Sequence, residues 1–262
     1  MRTRLSPENP YGPSRYGFAW ENVPQGGRAH LDFGCGGGKF LASLRAKRIG
    51  RIVGLDASRD AIEKARARFP DLDLRHLAAG AAIPFADGTF TSITLLDVLE
   101  HVEAQAELLA ELHRVLNDDG RLIVTVPRQY VFSCLDAGNL KFRFPRLHRL
   151  LFCIARSREE YERRYSANPD GLVGDVSARK AWHEHFSPEK LAALLGRAGF
   201  EAAAFDGAGF FTRPLMPALW LMEFVPGLRC IAHHIAELDA RCFESMNLFC
   251  VAAKARPPAK SG

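Results

Sequence analysis

The stretch LDFGCGGGKF, residues 31–40, sets four glycines into five positions directly after a short apolar run. A helical pattern, KFLASLRAKR, follows it, so the glycines read as the turn of a βα unit whose bare backbone lets a ligand approach the helix N-terminus closely. A phosphate, a dinucleotide and a sulfonium nucleoside are the candidate ligands, and a tight turn with no ligand is the plain structural alternative. A Walker A loop requires Ser or Thr after its lysine, whereas Lys39 is followed by Phe40. The dinucleotide fingerprint GxGxxG requires glycine where Lys39 stands, which weakens a nicotinamide-cofactor oxidoreductase reading as well.

Working outward, residues 28–127 alternate short apolar runs with helical patterns, as βα units around a parallel sheet do. RAHLDFG, RIVGLDAS, LDLRHLAA, TSITLLD and RLIVTVP are the first five strand candidates. Between them, SRDAIEKARARF sets Ile62, Ala65 and Phe69 on one helical face with Ser58 as its cap. AQAELLAELHRVLNDDG sets Leu108, Leu109, Leu112, Val115 and Leu116 on one stripe, with Gly120 as the expected stop. SPEKLAALLGRAGF reads as a later helix with Ser187 as N-cap, Pro188 at its first position and Gly199 as its end. EAAAFDG and MNLFCVAAK supply a sixth and a seventh strand. Residues 128–181 and 208–245 break the rhythm and read as two apolar-rich insertions into a core of about 28–127 and 182–256, all within one domain.

Composition bounds the rest. With 262 residues, 47% hydrophobic and 25% charged, the chain is long enough for one large core. Its six cysteines include no CxxC pair, so reduced thiols in a cytoplasmic protein are expected. The opening residues lack the apolar core of a secretory signal. LMPALWLMEFV at 215–225 is about half a membrane span and contains Pro217 and Glu223, so 213–240 suits peripheral contact with a bilayer and not a crossing. The net charge of +5 favours anionic partners. No long basic surface or recognised module accompanies it, and no nucleic-acid partner is expected.

The pattern Asp32-x-Gly34-x-Gly36-x-Gly38, with Asp56 some twenty residues later in VGLDAS, resembles the class I S-adenosylmethionine-dependent methyltransferases. IPFADGTF, LLDVLEHV and ELHRVLNDDGRLIVTVP are similar to successive segments of the type 11 branch, which includes quinone-biosynthesis enzymes. The similarity covers about 28–128 well and 182–207 moderately. It implies an α/β, Rossmann-like sheet of seven mostly parallel strands with helices on both faces, to which the chain's own pattern adds two apolar helical insertions. It implies S-adenosyl-L-methionine as cofactor, held by Asp32, Gly34, Cys35, Gly36, Gly38, Asp56, Ala57, Ala79 and Asp97, with Asp56 accepting from the ribose hydroxyls. Two positions depart from the family pattern. Ala79 stands where an acidic residue usually meets the adenine amino group, and Thr91 where an aspartate usually follows the phenylalanine.

For a hydroxyl acceptor a base is needed, and His101, beside Glu100 past the fourth strand, is the first candidate. His148 and His185 come after it, and a packing role beneath the cofactor is the competing reading of His101. WHEHF offers only two imidazoles without an acidic partner, so no metal is expected. Tyr11, Tyr16 and Trp20 are expected to form an N-terminal flap over the cofactor. The two insertions favour a bulky or lipid-linked small-molecule acceptor. A cofactor-binding partner or regulatory protein without transfer activity is the alternative, motivated by Ala79 and Thr91.

Overall fold

A computed structural model describes residues 6–12, 14–129, 144–162, 184–207 and 247–255, with isolated positions between 222 and 238. In chain order its elements begin with α1 (Arg15–Asn22), β1 (Ala29–Phe33), α2 (Lys39–Ser43), β2 (Arg51–Asp56), α3 (Arg59–Arg68), β3 (Asp73–His76) and β4 (Phe90–Leu96). There follow α4 (Gln105–Val115), β5 (Leu116–Pro127), α5 (Pro145–Ala155), α6 (Arg158–Tyr161), α7 (Pro188–Arg197), β6 (Phe200–Asp206) and β7 (Asn247–Lys254). The seven strands form one sheet in the order β3-β2-β1-β4-β5-β7-β6. The first five pair in parallel, and β7 runs antiparallel to both β5 and β6.

Alternation along the strands divides the core into two layers. On β5, Leu122, Val124 and Val126 pack with Leu109, Leu112 and Val115 of α4 and with Leu191 and Leu195 of α7. Ile123, between them in sequence, faces the other layer, with Phe18, Ala19 and Trp20 of α1, Phe40 and Leu41 of α2, and Ile62 and Ala65 of α3. Helices therefore cover both faces, which explains why the central strands carry near-continuous apolar runs.

Local signals account for most boundaries. The Ser58 hydroxyl accepts from Ala61 N–H at 3.2 Å and Ser187 accepts from Lys190 N–H at 3.2 Å, each satisfying an otherwise orphan donor of the first turn. Gly199, at φ +82°, ends the segment after α7. The α4 expectation needs correction. The helix stops at Val115, and Leu116 already pairs with Phe90 at the start of β5. The chain then folds back over this leucine, where a Cβ on Gly120 would lie 2.6 Å from Leu116 Cδ1. Gly120 thus permits a close approach inside a strand irregularity and does not end the helix. The third strand is also shorter than expected, covering only Asp73–His76.

The loop between β3 and β4 is fastened from α4. Arg114 donates to the carbonyls of Ile83 and Phe85 at 2.9 and 2.8 Å, and Glu111 accepts from Ile83 N–H at 2.9 Å. Arg114 in turn holds the Glu111 carboxyl down to about 2. Arg114→Ala is expected to accelerate amide exchange across residues 83–88 while leaving the protection of β4 and β5 unchanged, as hydrogen-exchange mass spectrometry would read.

Parts of the two insertions, most of 213–240 included, lie outside the described residues. Among the described residues no helix is long and apolar enough to cross a membrane.

Candidate functional site

The carboxyl ends of β1, β2 and β4 meet where an open parallel sheet offers its ligand crevice. The glycine turn leaves β1 there. Gly34, Gly36 and Gly38 have φ of +81°, +50° and +71°, a region that disfavours any side chain. A Cβ on Gly34 would lie 2.2 Å from Val98 Cγ2, so glycine is required there by space as well as by backbone conformation. Gly34 and Cys35 N–H both donate to the carbonyl of Leu55, at 2.8 and 3.0 Å. The Asp56 carboxylate completes the tether, with Oδ2 accepting from Gly36 N–H at 2.7 Å and Oδ1 from Ser58 N–H at 2.8 Å.

A cavity of about 450 Å³ opens beside this turn. Asp32, Gly34, Cys35 and Gly36 line it, with Lys39 and Phe40 of α2, Lys64 and Arg68 of α3 and Leu96 at the end of β4. Tyr11 and Tyr16 close one side, packing on each other at a ring separation of 5.5 Å and on Phe40 at 5.9 and 5.8 Å. Trp20, by contrast, is a core residue of α1, with Lys47 Nζ 3.7 Å from its ring centre. Of the three residues expected in an N-terminal flap, the two tyrosines line the cavity and the tryptophan does not.

Asp32 is 2% exposed and receives the Thr94 hydroxyl at 2.7 Å. Burial raises its carboxyl to about 7; the Thr94 bond opposes the rise and the Asp56 charge adds to it. The nearby Cys35 thiol is raised by burial and by the same two carboxylates, which makes it an inert wall and not a nucleophile.

The remaining candidates do not line this cavity. Gly38 stands at the start of α2, where a Cβ would meet Phe69 and Ala65 at ordinary contact distances of 3.4 and 3.5 Å. The carbonyl of Ala57 lies 3.1 Å from His76 Nε2. Ala79 is exposed in the loop after β3. Asp97 has φ +53°, a conformation that is strained for a side-chain-bearing residue. Its Oδ1 accepts the Thr125 hydroxyl at 2.7 Å, and its Oδ2 pairs with Arg15, so this carboxylate fastens α1 to the end of β4. His101 ends the 3₁₀ turn Leu99–His101, with Nε2 3.8 Å from Glu100 Oε1. His148 packs on Tyr161 and Phe152 at 5.7 and 6.2 Å, and His185 precedes Phe186 on the segment that bonds to Pro127. Of WHEHF, Trp182 and His183 lie outside the described residues, among which no group of three or more potential metal ligands occurs.

Sequence reasoning missed α1 and its Arg15. The signal was present in SRYGFAW, where Ser14 caps the helix by accepting from Gly17 N–H at 3.1 Å. The cations Lys39, Lys64 and Arg68 carry no local signal, because only the packing of α2 and α3 brings them to one rim.

The methyltransferase-domain family matches residues 3–204 of the chain. Over 107 residues the chain is 36% identical to a probable S-adenosylmethionine-dependent methyltransferase of Mycolicibacterium smegmatis, covering 41% of each protein. Over 152 residues it is 26% identical to a ubiquinone biosynthesis O-methyltransferase of Pseudomonas aeruginosa, covering 55% of this chain and 65% of that enzyme. The chain thus spans less than two thirds of the length of either relative. A solved S-adenosylmethionine-dependent methyltransferase structure from Methanosarcina mazei has the same fold, with a TM-score of 0.56 at 19% identity over 90% of this chain and 96% of that one.

Proposed function

The chain belongs to the methyltransferase-domain family, and from that premise we propose that it transfers a methyl group from S-adenosyl-L-methionine to a bulky or lipid-linked small molecule, at a hydroxyl. The observation that carries the reading is the charge at the glycine turn. Two carboxylates, Asp32 and Asp56, stand close enough that Asp56 raises the proton affinity of Asp32 and both raise that of Cys35. Such a floor opposes an anionic pyrophosphate and suits a ligand bearing an ammonium and a sulfonium. The rim cations Lys39, Lys64 and Arg68 suit that ligand's carboxylate.

Bound there, S-adenosylmethionine supplies an electrophilic methyl on sulfur. The chain's own residues supply position. Gly34, Cys35, Gly36 and Gly38 present bare backbone to the amino-acid end. Each Asp56 oxygen already accepts one N–H and retains capacity for a ribose hydroxyl. Ala57 follows along the same edge. Ala79 leaves the adenine to backbone groups, and Asp97 acts by holding α1 and, with it, Tyr16 over the cavity. Alignment of acceptor and methyl at near contact, with water excluded by the tyrosines, supplies up to ~7–11 kcal/mol of barrier lowering in model reactions. His101 is assigned as the group that receives the hydroxyl proton, with Glu100 Oε1 3.8 Å from its Nε2.

The relative named as a ubiquinone biosynthesis O-methyltransferase supports oxygen as the acceptor atom. Incubation with labelled S-adenosylmethionine and a panel of polyprenylated phenols is expected to give O-methyl product, with His101→Gln lowering kcat about 100-fold at unchanged cofactor affinity. Cofactor binding without transfer to any acceptor would instead identify a binding partner protein, and methylation of small soluble acids alone would refute the bulky-acceptor assignment.

A further inference from the structure

Strands buried on both faces favour uninterrupted apolar residues, yet one face of β1 and β4 carries a connected polar row beneath the cavity. Parallel pairing sets His30 opposite Ser92 and Asp32 opposite Thr94. All four are buried, His30 and Thr94 completely. His30 Nδ1 lies 2.8 Å from Ser92 Oγ, His30 Nε2 lies 3.1 Å from Thr94 Oγ1, and Thr94 Oγ1 lies 2.7 Å from Asp32 Oδ1. Thr94 has one hydroxyl proton. When it goes to Asp32, the bond from His30 Nε2 must be donated by the imidazole, which leaves Nδ1 to accept from Ser92. The row then has a direction, with each proton pointing towards Asp32.

We propose that His30 is a positioning residue which, through Thr94, favours the ionised form of the Asp32 carboxylate and aims it at the glycine turn. The role rests on the reading of the cavity as the cofactor site, because only a cationic ligand gives a charged Asp32 its purpose there. Burial lowers His30 to about 3, so the ring stays neutral across ordinary pH, and the row takes this direction once Asp32 has released its proton. The groups that face Asp32 are Asp56 at the end of β2, Cys35 in the turn, Tyr11 of the N-terminal segment and Thr94 on β4. Thr94 alone among them lowers its proton affinity, and a donor at His30 Nε2 leaves the Thr94 proton for Asp32.

The test is carboxyl-carbon and imidazole-nitrogen NMR on the full chain without ligand. His30 is expected as the neutral Nε2–H tautomer at pH 8, where the folded chain has released the Asp32 proton. His30→Phe is expected to raise the Asp32 midpoint by about one pH unit, and His30→Gln, whose amide can still donate to Thr94, to restore it. Thr94→Val reads the same rise should His30→Phe not fold. At pH 6.5 a one-unit rise corresponds to about tenfold weaker S-adenosylmethionine binding, vanishing by pH 9. An Nδ1–H tautomer at pH 8, or an Asp32 midpoint unmoved in both His30→Phe and Thr94→Val, would overturn the role. A shifted midpoint in a protein that does not bind S-adenosylmethionine would uphold the row and refute the cavity assignment instead.

Discussion

Asp56→Ala is expected to weaken S-adenosylmethionine binding by at least about a hundredfold in a calorimetric titration. The substitution removes the acceptor of two backbone amides at once, Gly36 N–H at 2.7 Å and Ser58 N–H at 2.8 Å. Hydrogen bonds to a charged group contribute about 1.5–3 kcal/mol each. Loss of one such bond to the turn, together with loss of the ribose contact, therefore exceeds the ~2.8 kcal/mol that a hundredfold represents. Asp56→Asn should fall between, since one amide oxygen can still accept while the amide nitrogen faces an N–H as donor against donor. A second consequence separates this account from general unfolding. The Asp56 charge helps to hold Asp32 protonated, so in Asp56→Ala the Asp32 midpoint should drop while the rest of the sheet keeps its exchange protection. Unchanged affinity in a folded Asp56→Ala protein would remove the glycine turn from the binding site.

Much of this arrangement was legible before any coordinates, and the reasons differ by residue. Gly34, Gly36 and Gly38 were legible because a side chain is excluded there by backbone conformation, a local property that composition records directly. The strand-end position of Asp56 follows from counting along a βα unit. What was not legible depends on which elements pack together. Arg15 joins Asp97 across 82 residues of chain, and no pattern of period two or period 3.6 links them. Trp20 reads equally as flap or core until α1 is laid on the sheet, where it is covered and Lys47 sits on its ring. The run through Leu116 to Gly120 kept helical spacing while the chain had already turned into β5, because Gly120 serves a contact with Leu116 that sequence spacing does not encode. His30 reads as one more inward residue on an alternating strand, and its significance lies in the β1–β4 register that sets Ser92 and Thr94 beside it.

Asp32→Asn is expected to separate stability from binding. The folded chain holds the Asp32 proton up to about pH 7, chiefly because burial disfavours the charge, whereas an unfolded aspartate releases it near pH ~3.9. Between these values the folded state binds more protons than the unfolded one, so stability falls as pH rises from about 4 to about 7 and is level above that range. Asparagine removes the penalty, since its carbonyl can still accept the Thr94 hydroxyl and no charge is buried. The variant should match the parent near pH 4 in urea unfolding and exceed it by on the order of 1–3 kcal/mol at pH 8. Its affinity for S-adenosylmethionine at pH 8 should nevertheless fall by at least about tenfold, for want of the negative charge beneath a cationic ligand. Saturating cofactor should therefore stabilise the parent more than the variant, by an amount set by the difference in affinity. Equal stabilities at pH 8 would mean that the carboxylate is not costly where it lies. A stable variant with undiminished affinity would mean that the charge is not used. Only the two results together identify Asp32 as a charge that the fold tolerates for the sake of its ligand.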